Sequence, residues 1–141
     1  APVCVAGVPK KQAEEKAIRV KCAVEAYHCP VDETELCIII GNLFDNAIEA
    51  VKDLPDEQRQ IDFSIQNPNG IFRIEMSNPY EDERRKVEHH YLTTKKENTE
   101  MHGLGLMSVQ KIVEKYDGLM EISDTDNVFK VIVIFFVRGN D

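Results

Sequence analysis

The chain has no C-x-x-C pair, no apolar run of membrane length and no excess of basic residues. Its four cysteines, Cys4, Cys22, Cys29 and Cys37, stand singly, with Cys37 inside an apolar run. That spacing argues against a zinc site and for free, buried thiols in a reducing compartment. The longest apolar run, residues 131–137, is of strand length and falls far short of the ~18 residues a membrane helix needs. No signal peptide is visible, and Ala1 in place of Met reads as the start of a fragment. Lys and Arg number 17 against 25 Asp and Glu, a formal net charge of −8. A duplex nucleic acid or an anionic membrane surface is therefore excluded as a bulk partner. A small anion such as a nucleotide stays open, because backbone amides and a metal act locally and can outweigh the global charge.

What remains is the make-up of one globular domain. The 141 residues are 43% hydrophobic and 30% charged, which is enough chain to bury a core. Ile18, Val20, Cys22, Val24 and Ala26 alternate, which predicts a half-buried strand that Pro30 ends. Asp32 with Glu35 three residues later reads as a capping box, opening a helix over residues 33–52 that Pro55 stops. Ile61, Phe63 and Ile65 alternate, Asn67-Pro68-Asn69-Gly70 makes a turn, and Phe72, Ile74 and Met76 alternate again. Residues 79–102 are polar and without period, a loop long enough to imply a function. Leu106, Val109, Ile112, Val113 and Tyr116 have helical spacing, and Gly118 reads as the C′ residue of that helix. Strands over 119–123 and 128–137, joined by a turn at 124–127, close the chain. The prediction is an α+β fold, a two-layer sandwich with helices on one face of a mixed sheet. Residues 1–17 read as a tail or docking segment and 18–141 as the domain.

Two constellations carry chemistry. On the first long helix, Leu36, Ile40, Leu43, Ala47, Ala50 and Val51 project to one side, and Glu35, Asn42, Asn46 and Glu49 to the other. Asn42 and Asn46 are i and i+4 and so project as neighbours. Asparagine is a mediocre helix former, because its amide competes for the backbone. Two aligned in mid-helix fit a magnesium–nucleotide site, since Mg2+ takes oxygen ligands and a carboxamide adds no charge beside phosphates. A merely solvated face is the alternative. The second constellation is His102-Gly103-Leu104-Gly105-Leu106 at a helix start, where glycines admit an anion close to unpaired N–H groups and to the positive end of the helix dipole. It is neither a Rossmann nor a P-loop pattern. Lys95 and Lys96 just before it can reach phosphate oxygens as point charges.

Together these stretches resemble a known family. Residues 35–50, ELCIIIGNLFDNAIEA, are similar to the N-box of histidine kinases. Residues 102–109, HGLGLMSV, resemble their G2 box, and QKIVEKYDG fits the helix that follows. The order and spacing are those of the GHKL ATP-binding (Bergerat) fold, over residues 18–137. The wording is nearest to peptide-pheromone receptor and dicarboxylate-sensor kinases.

The resemblance implies roles. Asn46 falls where the family's magnesium asparagine lies, and Asn42 where its companion lies. Asn78 takes the place of the adenine-recognising aspartate of the G1 box, and Gly103 and Gly105 those of the glycines along the phosphates. Lys95, His102, Leu104 and Leu106 complete the expected ATP contacts. The sequence departs from the family after Asn78, where the G1 glycines are missing, and at Met101, which stands for the first G2 glycine. The implied reaction is transfer of the γ-phosphoryl group of ATP, with Mg2+, to a histidine on a separate dimerisation domain, with a response regulator downstream. His28, His89 and His90 do not lie on a long helix, as an acceptor should. The implied location is cytoplasmic, with no membrane contact by this stretch. Rival readings are an ATP hydrolase of the superfamily, an anti-sigma-type serine kinase, and a degenerate nucleotide-binding module. The hydrolases carry a glutamate where Asn42 stands, which disfavours the first.

Overall fold

A computed structural model describes residues 10–80 and 103–137. Helix α1 (Lys10–Glu15) leads into strand β1 (Arg19–Glu25), and helix α2 (Glu33–Val51) follows. A short 3-10 turn (Asp56–Gln58) precedes the hairpin β2 (Gln60–Gln66) and β3 (Ile71–Pro79). Helix α3 (Gly103–Lys115) and the hairpin β4 (Leu119–Thr125) and β5 (Val128–Phe136) complete the fold. The five strands form one sheet in the order β1-β2-β3-β5-β4. β1 and β2 are parallel, joined across α2, and the other pairs are antiparallel. This is the mixed sheet and α+β sandwich that the alternation predicts.

Period-two patterning decides which face is covered. Along β2, β3 and β5, every second residue is buried: Ile61 and Ile65, Phe72 and Ile74, Val131 and Val133 are all 0–2% exposed. Helices α2 and α3 lie over that face, and Phe44 of α2 meets Phe63 of β2 with ring centroids 5.0 Å apart. An aromatic pair at that spacing adds about 0.5–1.5 kcal/mol beyond the area it buries. The opposite face holds half-buried polar residues, with Arg73 and Lys130 both paired to Glu75. Ala13, 1% exposed, brings α1 against the same core.

The local signals resolve as follows. α2 ends at Val51, with Lys52 as its cap. The β2–β3 turn bonds Ile71 N–H to Pro68 C=O, with Asn69 and Gly70 at φ 48° and 81°, a type I′ geometry that suits Asn-Gly. β4 runs two residues further than its alternation suggests, because the second hairpin turns on Asp126 and Asn127 alone, both at positive φ. The end of α3 also differs from expectation. Gly118 N–H bonds to Val113 C=O and Asp117 N–H to Glu114 C=O, with Asp117 at φ 56°. That is a Schellman motif with Asp117, not Gly118, at C′. Gly118 is needed for another reason: a Cβ there would lie 2.5 Å from the Ile134 carbonyl oxygen, where α3 descends onto β5.

The cysteines correct the sequence reading too. Cys22 and Cys29 are half-buried and Cys37 is exposed; all three are free thiols. Cys37 sits in an apolar run but on the side of α2 that Leu36, Ile39, Ile40 and Leu43 leave to solvent. Burial pushes the Cys29 thiol pKa up.

A second Schellman end closes α1, with Ile18 N–H on Ala13 C=O and Ala17 at φ 57°. An L-residue with a Cβ is strained in that region, and glycine is not. Ala17→Gly is expected to raise stability by about 0.5–1 kcal/mol, the αL strain outweighing glycine's added chain entropy. Urea denaturation at constant m-value measures it, and a loss of stability would contradict the assignment.

Candidate functional site

The polar stripe of α2 is not the solvated back of the helix. Exposure falls instead on Cys37, Ile38 and Asp45, whereas Glu35, Asn42, Asn46 and Glu49 are half-buried. Leu36, Ile39, Ile40, Leu43 and Ala47 bury against the core, so the stripe lies along the margin where α3 packs. The two helices run antiparallel, with Gly105 beside Asn42 and Lys115 beside Glu35. Asn42 donates from Nδ2 to the Ile38 carbonyl one turn back, at 3.0 Å, which turns its oxygen toward α3. A Cβ added at Gly105 would lie 3.3 Å from Asn42 Oδ1 and 3.7 Å from Asn42 Cβ. Glycine therefore lets the first turn of α3 rest on the carboxamide. Asn46 is one turn further along α2 on the same stripe, toward its C-terminal end. Glu49 pairs with Lys52 at 3.0 Å.

Asn78 is the buried polar residue of the core among the described residues, at 2% exposure. The alternation of β3 sends it to the helix-covered face, in register behind Phe72, Ile74 and Met76. A buried amide must be hydrogen-bonded to be tolerated. One Nδ2 hydrogen goes to the Pro79 carbonyl at 3.0 Å.

The other predicted site residues divide. Gly103 and Leu104 open α3, as read from the sequence. Leu106, 3% exposed, places its side chain in the core, so only its backbone can face a ligand. Lys95, Lys96 and His102 lie outside the described residues.

The donor set limits the metal it can serve. Among the described residues no group of three His, Cys, Asp or Glu gathers as a metal cluster. Asn42 and Asn46 offer neutral oxygens, which suit a hard cation that brings its own anionic ligands. Phosphates meet that requirement, and the unpaired N–H groups at the start of α3 favour them. The residues present therefore fit Mg2+ together with a polyphosphate better than they fit a bare metal.

The sequence reading missed a cluster at the other end of the seam. The capping box at the start of α2 is only half made. Asp32 accepts from Thr34 N–H at 3.0 Å, as an N-cap should. Glu35, however, does not return to the Asp32 N–H. That N–H donates to the Tyr116 hydroxyl at 3.2 Å, and the hydroxyl donates in turn to the Glu35 carboxylate. Lys115 Nζ completes the cluster, 2.8 Å from the same carboxylate. The hydrogen bond from Lys115, and then that from Tyr116, hold the Glu35 carboxyl below its ordinary value, while Glu35 pushes Lys115 above its own. Beside the cluster, a cavity of about 460 Å³ is lined by His28, Lys115, Tyr116 and Phe135 among others. Periodicity assigns Tyr116 to the apolar face of its helix, and nothing local signals that its hydroxyl reaches another element.

Comparison with known proteins bears on this geometry. The sequence profile described as the GHKL domain matches residues 31–135. A probable C4-dicarboxylate sensor kinase of Halalkalibacterium halodurans is 26% identical over 106 residues, 74% of this chain and 20% of that protein. The sensor histidine kinase DpiB of Escherichia coli K12 is 26% identical over 117 residues, 79% of this chain and 21% of that protein. The chain thus spans about a fifth of the length of the curated relatives it matches. Among solved structures, the mycobacterial sensor histidine kinase MprB superposes with a TM-score of 0.70 at 17% identity, covering 94% of this chain and 91% of that one. At that identity the likeness speaks for the fold.

The Glu35 cluster sets a pH dependence. A carboxyl whose pKa is depressed on folding stabilises above its ordinary value, here 4.5, and that stability is lost as the pH falls through the folded value. A raised Lys115 stabilises below its ordinary 10.5 and loses that contribution as the pH rises through the folded value. Between those limits both contributions are complete. In Glu35→Gln the urea midpoint is expected to fall at pH 7 and to decline less steeply than wild type below pH 4.5. Parallel acid limbs in the two proteins would remove Glu35 from the account.

Proposed function

The chain belongs to the GHKL domain family, and from that premise we propose that it is the ATP-binding catalytic domain of a sensor histidine kinase. It transfers the γ-phosphoryl group of ATP to a histidine on a separate dimerisation domain of the same protein. The observation that carries this reading is the contact of Gly105 with the Asn42 carboxamide, which joins a neutral oxygen stripe to a glycine-bearing helix start. Each half alone has a commonplace explanation; their juxtaposition suits a triphosphate and its cation.

Phosphoryl transfer asks a domain for positioning and charge neutralisation rather than covalent chemistry. Asn46, with Asn42 one turn away, would hold Mg2+, which when bound neutralises charge on the phosphate oxygens. The N–H groups at Gly103, Leu104 and Gly105 would donate to the phosphate oxygens, aided by the helix dipole. Asn78 would read adenine from inside the core, its carboxamide oxygen accepting from the exocyclic amine. Lys95 and His102 are assigned by resemblance alone, as further phosphate contacts from the segment ahead of α3. The acceptor-histidine domain and a response regulator are the proposed partners, and the cytoplasm the proposed compartment. Among the described residues no helix is long and apolar enough to cross a membrane.

Hydrolysis is the weaker reading. It needs a base to orient water, and Asn42 lacks a carboxylate and already spends its Nδ2 on Ile38. A nucleotide-binding module without turnover draws its support from Asn78-Pro79-Tyr80, which stand where the family has Asp and glycines.

Asn46→Asp is expected to weaken Mg-ATP binding at least tenfold, by setting a carboxylate beside the phosphates. Calorimetry with Mg2+ present measures it, and wild-type affinity in the variant would count against Asn46 as the metal residue. Incubation with labelled ATP and a separately expressed acceptor-histidine domain tests the whole reading. Label on that histidine is the expected result; binding without transfer would favour the module.

A further inference from the structure

We propose that Tyr116 is a positioning residue for the nucleotide site, holding α3 against α2 so that its glycine-bearing first turn meets the asparagine stripe. The inference rests on the ATP-binding reading above and adds to it a residue at the opposite end of the helix.

The capping box at the start of α2 is unfinished. The sequence supplies Asp32 and Glu35 at the spacing of a self-contained cap, which would satisfy the Asp32 N–H within α2. The Tyr116 hydroxyl is inserted instead between the two partners, accepting from Asp32 N–H and donating to Glu35. A local cap has become a link between helices. Lys115 reinforces it from the same end of α3.

Glu35 and Asn42 are two turns apart on α2, roughly 10 Å at 1.5 Å per residue. α3, 13 residues long, therefore touches the stripe at two places, Tyr116 on Glu35 and Gly105 on Asn42. A short helix moves as a unit, so loosening one end shifts the other. Packing does not fully hold the Tyr116 end. The ring meets Phe135 edge-on at 5.8 Å, and both rings line the cavity of about 460 Å³. Gly118 fixes how close α3 comes to β5, through the tight approach to Ile134, and the polar link adds a tie to α2 at the same end.

Stability and positioning are separable here. In Tyr116→Phe the ring and its packing remain, and Glu35 is free to close the ordinary capping box on Asp32. The fold is held while the hydroxyl's share of the interhelical link is lost and Lys115 alone remains on Glu35. The phosphates would lie at the start of α3, whereas adenine would lie at Asn78, on β3, which this link does not touch. The expected result is Mg-ATP affinity reduced about three- to tenfold, with adenosine affinity, read by NMR titration, unchanged. Glu35→Gln, which can still accept from the hydroxyl, retains most of the Mg-ATP affinity, and Glu35→Ala does not. Wild-type Mg-ATP affinity in Tyr116→Phe, or an equal loss for adenosine and Mg-ATP, would overturn the proposal. A wild-type chain that binds no Mg-ATP would instead overturn the function reading on which it rests.

Discussion

The seam between α2 and α3 is the constraint on which the rest of the molecule depends. Gly105 lies beside the Asn42 carboxamide, where a Cβ would stand 3.3 Å from Asn42 Oδ1 and press the carboxamide aside. The contact places a helix N-terminus, whose first N–H groups have no partner within the helix, beside the neutral Asn42 oxygen. Such a pairing has little value in a closed core, where both groups would be costly to desolvate. It makes sense at the border of a cleft that a charged ligand completes. The sheet serves this seam: its buried face seats α2 through Phe44 on Phe63, and its central strand β3 delivers Asn78 to the same side.

Several residues act through what they lack or what they decline to do. Gly118 matters because a side chain would strike the Ile134 carbonyl, not because its backbone is unusual. Asp117 takes the left-handed position beside it. Glu35 leaves its local cap and bonds across to another helix. In each case a short-range rule gives way to a long-range contact. Each exception lies at the C-terminal end of α3 or on the element it meets there, opposite the end where the ligand chemistry is proposed. A domain whose ligand site is bounded by a helix on one side needs that helix registered more tightly than packing alone requires.

Much of this was legible before any coordinates. The alternation in β2, β3 and β5 is strict enough that register and buried face follow from it, because a one-residue slip would turn Phe72, Ile74 and Met76 to solvent. Asn69-Gly70 dictates its hairpin by backbone sterics alone. The asparagine pair and the glycine pair were visible as motifs, and their order along the chain named a family. The exposure of Cys37 was less accessible. Five consecutive apolar residues around a helix cannot all be buried, and only the packing partner selects which remain outside.

The sequence by itself determined the elements, the two hairpins and the two motifs, since each depends on interactions among residues a few positions apart. Tertiary structure decided that the polar stripe of α2 is a seam rather than a solvated back, and that the Asp32–Glu35 cap opens to admit Tyr116. Those outcomes hinge on groups 80 or more residues apart in the chain, such as Glu35 and Lys115. A hydroxyl or a carboxylate chooses between a local and a distant partner by small differences in hydrogen-bond and desolvation energy. Periodicity carries no record of that choice, because it reports which way a side chain points and not what it meets there.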